Sequence, residues 1–440
     1  MKITIAGAGY VGLVTAACLA DKGHDVICVD VNEEKIQRLN EGIVPIYEPG
    51  LEPLIQRNSA RLRFTTNDVE AYRWAEVIMI AVGTPPLPDG SVKLDDVWET
   101  LRRIAASVER DCLVAIKSTV PVGTGDEAAR FVAENGRAGV RIDVVSNPEF
   151  LSQGTAVRDT LQAPRIVLGV ESERAERVMK DVYAPLALPY VVTDRRSAEM
   201  IKYAANVFLA LKISYINEIA NVCELVGADI QAVAEGIGMD PRIGRRFLRA
   251  GVGYGGSCLP KDANALYSLA ASHGYSLKTV WAAMDVNEKQ KWKLFEKARA
   301  HLGVLSDRTA AVLGAAFKPG TDDVRESPAL ANIERLIAEG PLCVSGTRPL
   351  SNMSPAVLAM QLFAARDRGS HSRRGCLFHF HRMAGCAAIW PSPLQGADEN
   401  PACGGWTELL RPEGGRSRRS DLRINRAAHS LGGAGKGGDG

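Results

Sequence analysis

The chain has 440 residues, with 53 Lys+Arg against 51 Asp+Glu and a formal charge of +2. That balance excludes the cationic surface of a nucleic-acid binder or a membrane-surface protein, and a hydrophobic fraction of 46% is that of an ordinary globular protein. Nine cysteines without regular spacing read as reduced thiols of a cytoplasmic protein rather than a disulfide framework.

The length predicts two to three domains. Lys2–Ala6 is a short β-type run. Gly7-Ala8-Gly9-Tyr10-Val11-Gly12 follows at once, and an apolar helix runs from Leu13 to about Lys22. Met1–Ala20 superficially resembles a leader, but a nucleotide-binding loop accounts for the same residues. A second strand, Asp25–Val29, ends in Asp30, 18 residues after Gly12. This is G-x-G-x-x-G in its strand–turn–helix setting. Gly7 permits the turn, Gly9 lets backbone approach a pyrophosphate, and Gly12 lets helix pack on strand. The helix N-terminus then faces the phosphates. Asp30 would bond the ribose hydroxyls and repel a 2′-phosphate, so NAD is expected over NADP. Lys35 is placed to reach the adenosine side, or else is a solvated helix lysine.

Strand and helix signals keep alternating. Val77–Val82 ends in Gly83-Thr84-Pro85-Pro86, Leu113–Lys117 in Ser118-Thr119-Val120-Pro121, and Ile142–Val145 leads into Ser146-Asn147-Pro148-Glu149-Phe150-Leu151. A doubly wound α/β sheet binds ligands at the C-terminal ends of its strands, where all three polar turns fall. Thr84 and Thr119 are candidates for the nicotinamide half or a water, and Glu149 for a base or water-orienting group. Each is otherwise a turn or cap residue.

Arg196–Gly227 reads as one long helix. Lys202 and Asn206 stand four residues apart on it and share a face, where together they would stabilise a developing oxyanion. The helix's remaining apolar stripe must be buried, on neighbouring helices or on a second subunit. Arg242, Arg245, Arg246 and Arg249 form a basic segment suited either to phosphate or to solvent.

Gly253-Tyr254-Gly255-Gly256-Ser257-Cys258-Leu259-Pro260-Lys261-Asp262 is the stretch around which the rest is organised. Ser257 is the expected cap of the following helix, and Pro260 suits its first turn. Cys258 then sits at a helix N-terminus that favours a thiolate, with Lys261 adding charge and Asp262 a carboxylate for proton transfer. The alternative is a glycine-rich turn around an inert cysteine.

These motifs, with Phe317-Lys318-Pro319-Gly320-Thr321-Asp322-Asp323-Val324-Arg325-Glu326-Ser327, resemble the UDP-glucose/GDP-mannose dehydrogenase family from Met1 to about Gly340. Phe247-Leu248-Arg249-Ala250-Gly251 looks like its UDP-glucose branch. The resemblance implies a four-electron oxidation of the sugar CH₂OH of UDP-glucose to carboxylate with two NAD⁺. Cys258 would form a thiohemiacetal and then a thioester, Lys202 and Asn206 would stabilise the oxyanion, and Thr119, Glu149 and Asp262 would manage water and protons. It implies that Glu149–Gln153 (Glu149, Phe150, Leu151, Ser152, Gln153), Lys202, Asn206, Phe247, Leu248, Arg249, Ala250, Gly251, Gly255 and Lys318 line the sugar nucleotide. Arg242 is similar to an arginine that reaches a neighbouring subunit's site. Gly7, Gly9, Tyr10, Val11, Gly12, Asp30, Lys35, Thr84, Thr119, Gln153, Lys261 and Arg325 would serve NAD. Many members carry glutamate where this chain has Gln153. GDP-mannose or UDP-N-acetylmannosamine are the alternative substrates, and an inactive NAD-binding relic the alternative class. A homodimer or higher oligomer is expected, with no metal.

The expected domains are a Rossmann-type domain, 1–195, a central helical dimerisation and cysteine region, 196–300, and the start of a UDP-binding domain, 301–340. Residues 341–440 are of another kind. Residues 1–340 hold 40 Lys+Arg against 44 Asp+Glu, whereas the last hundred hold 13 against 7, twelve of the 13 being arginine. The family's later motifs are missing, among them an Asp-Gly-Arg-Asn whose arginine binds nucleotide. Reading Asp398–Arg411 one base out of frame permits that motif, with the single codon of Trp406 forcing its glycine. The same shift over Cys376–Met383 permits a missing Thr-Glu-Trp. The tail therefore reads as a frameshift product of disordered character, and the third domain as disrupted after about residue 340. Cys376, His379, His381 and Cys386 fit no standard zinc spacing.

Overall fold

The structure is a computed structural model. It describes residues 1–306 and 309–339 and, beyond them, the backbone of three strands at 342–346, 374–379 and 389–393. All of these lie within one compact unit, Met1–Ala397.

The first eight strands are β1 (Lys2–Ala6), β2 (Asp25–Val29), β3 (Leu62–Thr65), β4 (Val77–Ile80), β5 (Cys112–Ile116), β6 (Ile142–Ser146), β7 (Ile166–Gly169) and β8 (Tyr190–Thr193). They form one sheet in the order β3-β2-β1-β4-β5-β6-β7-β8, parallel throughout except for β6 against β7. β4 and β5 are apolar and buried at every position, as strands covered on both faces must be. Eight helices alternate with them: α1 (Tyr10–Asp21), α2 (Glu33–Asn40), α3 (Leu51–Arg57), α4 (Asp68–Trp74), α5 (Asp95–Ser107), α6 (Thr124–Asn135), α7 (Ala156–Leu161) and α8 (Glu173–Tyr183). α1, α3, α7 and α8 bury Leu13, Leu54, Ala156 and Met179 on one face. α5 and α6 bury Leu101, Ile104, Ala128 and Val132 on the other. The chain leaves β1 for β2 on one side and reaches β4 on the other. That switch point opens a crevice beyond the strands' C-terminal ends.

α9 (Arg195–Val226) is the long helix the apolar periodicity predicts. The Asp194 carboxylate caps it by accepting from the Ser197 N–H at 2.8 Å. Gly227 ends it at φ 75°, where only glycine is unstrained. α10 (Ile230–Gly238) follows, then α11 (Leu259–Ser272) and α12 (Lys278–Gln290), which pack along α9. α13 (Lys293–Leu302) and α14 (Pro328–Ala338) flank β9 (Thr309–Leu313), and Leu294, Phe295, Val312, Ile333 and Leu336 form a third core.

β9 belongs to a second sheet with β10 (Leu342–Gly346), β11 (Arg374–His379) and β12 (Ile389–Pro393), in the order β10-β9-β11-β12. Three of the four strands of this sheet lie after residue 340, in the tail. β9 offers two edges, and short runs pair with both in parallel, β12 then adding antiparallel to β11. The Asp398–Arg411 segment and the His381 and Cys386 positions lie outside the described residues.

Candidate active site

One cleft of about 1970 Å³ runs along the C-terminal edge of the large sheet. Gly7, Gly9, Tyr10, Val11, Asp30, Lys35, Thr84 and Thr119 line it, as do Glu149–Gln153, Asn206, Phe247, Gly255, Cys258, Lys261, Lys318 and Arg325. Most of the sequence-predicted residues, drawn from separate segments between Gly7 and Arg325, therefore meet in one place.

At its dinucleotide end, Gly7 has φ 105° and donates its N–H to the Val29 carbonyl at 2.7 Å. A Cβ on Gly12 would stand 1.7 Å from the Gly7 carbonyl oxygen, so α1 can approach β1 only as glycine. A Cβ on Gly9 would meet no protein atom within 4 Å. That open space lies before the N-terminus of α1, the place for a pyrophosphate. Asp30 accepts from the Ala8 N–H at 2.8 Å and from the Lys35 ammonium at 2.9 Å. Burial raises its carboxyl, but these bonds and that from the Asn32 N–H outweigh burial and hold it below the ordinary carboxylate range. An ionised acid beside an open glycine-lined helix end fits a dinucleotide with free ribose hydroxyls.

At the other end, α9 sends two arms to two carboxylates. The Lys202 ammonium donates to the Glu149 carbonyl at 2.7 Å and to Glu149 Oε1 at 2.9 Å, and both residues are buried. Asn206 Nδ2 donates to Asp262 Oδ2 at 2.6 Å, and Lys261 donates to Asp262 Oδ1 at 2.6 Å. Desolvation opposes the charge on Lys202, yet Glu149, with Asp262 and Cys258, keeps its ammonium above the ordinary lysine value.

Cys258 opens on the cleft at the N-cap of α11. Two expectations are corrected here. Ser257 does not cap the helix: its Oγ lies 3.7 Å from Cys258 Sγ, and the N-cap falls one residue later. The thiol is pushed up rather than down, by burial of the sulfur first and then by the Glu149 and Asp262 carboxylates, against the pull of Lys202.

The three glycines before the cysteine admit three different neighbours. A Cβ on Gly253 would stand 2.7 Å from Asn287 Oδ1, one on Gly255 2.1 Å from the Glu326 carbonyl oxygen, and one on Gly256 2.7 Å from the Phe317 ring. The close approach at Gly255, expected of a ligand, is made by the protein itself. Gln153, which lines the cleft, donates to Asp323 Oδ2 at 3.0 Å and accepts from Thr321 Oγ1 at 3.1 Å. Asp323 in turn holds Arg325 by two bonds of 2.8 and 2.7 Å. The Lys318 ammonium, pushed down by burial, donates to Ser152 Oγ at 2.6 Å. Tyr10 Oη lies 3.0 Å from Asp322 Oδ1.

Phe247 lines the cleft at φ 65°, a strained conformation for a bulky side chain. Leu248, Arg249, Ala250 and Gly251 do not line it: Leu248 is buried, and Gly251 gives its N–H to Asn217 and its carbonyl to Gln290. Arg242 lies outside the cleft, its exposed guanidinium paired with Asp240.

Sequence reasoning missed a buried cluster at the end of β5. The Lys117 ammonium lies 3.3 Å from both Asn147 Oδ1 and Tyr183 Oη, and Tyr183 donates to Asn147 Oδ1 at 2.5 Å. Asn147 is two residues from Glu149, so this cluster fixes the loop that carries the carboxylate. Glu199 was also missed. It accepts from the N–H groups of Gly123 and Gly125 and from Ser146 Oγ, at 2.7, 2.8 and 2.9 Å, joining α9 to α6. Its place three residues before Lys202, on the same helix face, was the available signal.

A Rossmann sheet whose dinucleotide crevice continues to a cysteine flanked by a lysine, an amide and two carboxylates defines an NAD-dependent dehydrogenase. Family models agree in order along the chain: the NAD binding domain of the UDP-glucose/GDP-mannose dehydrogenase family matches residues 1–187, its central domain 196–289 and its UDP binding domain 311–347. The chain belongs to that family. It is 48% identical over 340 residues to a UDP-glucose 6-dehydrogenase of Bacillus subtilis, covering 77% of each chain. To the UDP-glucose 6-dehydrogenase of Rhizobium meliloti it is 48% identical over 376 residues, 83% of this chain and 86% of that one. Among solved structures, a UDP-glucose dehydrogenase from Pyrobaculum islandicum superposes with TM-score 0.80 at 39% identity, covering 86% and 89% of the two chains. The family match thus reaches residue 347, in keeping with a resemblance that runs to about Gly340. No described helix is long and apolar enough to cross a membrane.

Proposed function

We propose that this chain oxidises C6 of UDP-glucose to the carboxylate of UDP-glucuronate, with Cys258 as covalent nucleophile. The observation that carries the reading is Cys258 opening on the same cleft as the glycine motif, between the Lys202–Glu149 and Asn206–Asp262 pairs. The names of the relatives supply the substrate.

Gly7–Gly12 and Asp30, with Lys261 and Arg325, would hold NAD⁺, which would supply the hydride acceptor for both oxidations. The substrate alcohol gives its proton to solvent through the water that Thr119 and Glu149 orient and its C6 hydride to the acceptor, and C6 becomes an aldehyde. Lys202 and Asn206 hold the C6 oxygen and the negative charge that develops on it. Cys258 loses its proton to the neighbouring carboxylate of Asp262, and its sulfur bonds to C6, giving a thiohemiacetal. Loss of the second hydride leaves a thioester. Thr119 and Glu149 orient the water that cleaves it, releasing carboxylate and returning the thiol. A thiol that rests protonated suits this order, because the nucleophile is needed only once an aldehyde stands before it. Ser152 and Lys318 bind the diphosphate side.

α9 exposes Phe208, Tyr215 and Val222 at seven-residue spacing, with Leu225 and Val226 beyond them. We assign this stripe to a second copy of the chain, which would also bring Arg242 towards a neighbouring site. The enzyme is read as cytoplasmic, where NAD⁺ is available.

The test is purified chain with NAD⁺ and UDP-glucose, followed by NADH formed per sugar consumed. Two NADH per sugar, lost in Cys258→Ser, is the expected result. No NADH from folded protein refutes the activity for this chain, and a better turnover of GDP-mannose refutes the substrate.

A further inference from the structure

Between Leu248 and Cys258 the chain has no regular secondary structure, yet Gly253, Tyr254, Gly255 and Gly256 are buried. Buried backbone groups need partners. Here much of the pairing comes from amide side chains on two helices. Gly251 donates its N–H to Asn217 Oδ1 at 2.7 Å and accepts from Gln290 Nε2 at 2.8 Å. Tyr254 donates its N–H to Asn287 Oδ1 at 2.7 Å, and its carbonyl accepts from Asn287 Nδ2 at 3.1 Å. Asn287 therefore presents to Tyr254 the donor and acceptor that a neighbouring strand would. Asn217, Asn287 and Gln290 are all buried, and Asn221 Nδ2 donates to Gln290 Oε1 at 3.1 Å, fixing that amide in turn.

Gly253 belongs to the same device. Its φ is 99°, and a Cβ would stand 2.7 Å from Asn287 Oδ1. The glycine both turns the chain and clears the way for the amide. On the far side, Glu326 and Phe317 press on Gly255 and Gly256, and the Gly256 N–H donates to the Arg325 carbonyl at 2.9 Å. The cysteine loop is thus gripped between α12 and the loop before α14.

We propose that Asn287 is a positioning residue for Cys258. It touches no reacting atom, and it sets the path of the backbone four residues upstream of the sulfur. An apolar side chain in its place would strand both polar groups of the Tyr254 backbone, a penalty the protein can relieve by moving the loop. Gly253 makes that movement easy, so the loss falls on the geometry of the nucleophile more than on the fold. The proposal rests on Cys258 being the nucleophile.

The test uses the full chain with Asn287→Ala and Asn287→Asp, and with Asn332→Ala as a control. Asn332 is another fully buried amide, bonded to the Lys291 and Pro328 carbonyls at 2.7 and 2.8 Å. Two readouts are taken: kcat against KM for NAD⁺, and the iodoacetamide alkylation rate of Cys258 followed on its own peptide. Asn287→Ala is expected to lower kcat by about 10–100-fold with KM for NAD⁺ within about twofold, and to shift the alkylation rate by about fivefold or more. Asn287→Asp keeps the acceptor for the Tyr254 N–H and falls between, while Asn332→Ala loses thermal stability and neither rate. Should the alanine variant not fold, the aspartate variant decides on the same readouts. A variant at 287 that melts earlier but keeps the wild-type kcat and alkylation rate has only a scaffold role, which overturns the proposal. Unchanged NADH stoichiometry in Cys258→Ser would remove the nucleophile reading itself, while the alkylation rate would still report whether Asn287 holds the loop.

Discussion

Gly255→Ala tests whether the loop before α14 truly seats the cysteine. Gly255 has no positive φ to confuse the outcome, so the substitution adds one methyl and little else. That methyl would stand 2.1 Å from the Glu326 carbonyl oxygen and 2.9 Å from its carbon, both backbone atoms. Restoring even a 3.0 Å separation needs about 0.9 Å of movement between two main-chain segments (3.0 − 2.1), one of which ends in Cys258. Overpacking of this kind costs about 1–3 kcal/mol of stability. A displacement of about 1 Å at a reacting group costs about a hundredfold in rate, or about 2.7 kcal/mol of barrier. NADH formation at saturating substrate gives kcat, and urea unfolding gives the stability. Gly274→Ala is the comparison: its φ is 73° and its Cβ would meet nothing within 4 Å, so it should cost about 1 kcal/mol of stability and no activity. A Gly255→Ala enzyme whose kcat stays within about threefold of wild type would refute the seating argument.

Lys202→Met should lower stability by about 3–5 kcal/mol, since it leaves the Glu149 carboxylate buried without its cation. Because the folded-state pKa of Lys202 lies above the ordinary 10.5, its stabilising contribution is fully present below that value and is lost only as pH rises through the raised one; urea unfolding of the two proteins should therefore differ equally at pH 6 and pH 9. The same variant removes the cation that pulls the Cys258 thiol down, so the alkylation profile of Cys258 must move to higher pH; an unmoved profile would mean that Lys202 does not tune the sulfur. Phe208→Glu places a charge in the exposed stripe of α9, and sedimentation should then report a single chain where wild type reports two; an unchanged mass would locate the subunit contact elsewhere.

The parts of the site that were legible in the sequence are those whose physics is local. Gly7, Gly12 and Asp30 follow from one turn, one helix approach and one strand end, all within 30 residues. Lys202 and Asn206 were legible as a pair because helical spacing puts them on one face. Their partners were not, since Glu149 lies 53 residues from Lys202 and Asp262 lies 56 from Asn206. The direction of the Cys258 thiol was misread for a related reason: the helix end and Asp262, four residues on, are visible in sequence, whereas the desolvation of the sulfur and the Glu149 carboxylate, 109 residues away, are not. Ser257 failed as a cap for a local cause. With Pro260 in the first turn of α11, an N–H that a cap would bond is missing. The partners of Gln153, Asp323 and Thr321, were not legible because they stand 170 and 168 residues away. The second sheet was hidden by composition, since β11 and β12 lie beyond the family match that ends at residue 347 and join through backbone pairing.

The loop from Phe317 to Ser327 reaches Tyr10 of the glycine motif, Ser152 and Gln153 of the Glu149 loop, and Gly255 and Gly256 of the cysteine loop. Every side chain assigned to bond making or proton transfer lies before residue 263, so a fragment ending at Leu302 would carry the complete reactive inventory. Such a fragment would still lack the wall against which all three ligand-bearing segments are set. The shortest autonomous catalyst obtainable from this chain is therefore expected to extend at least through Ser327.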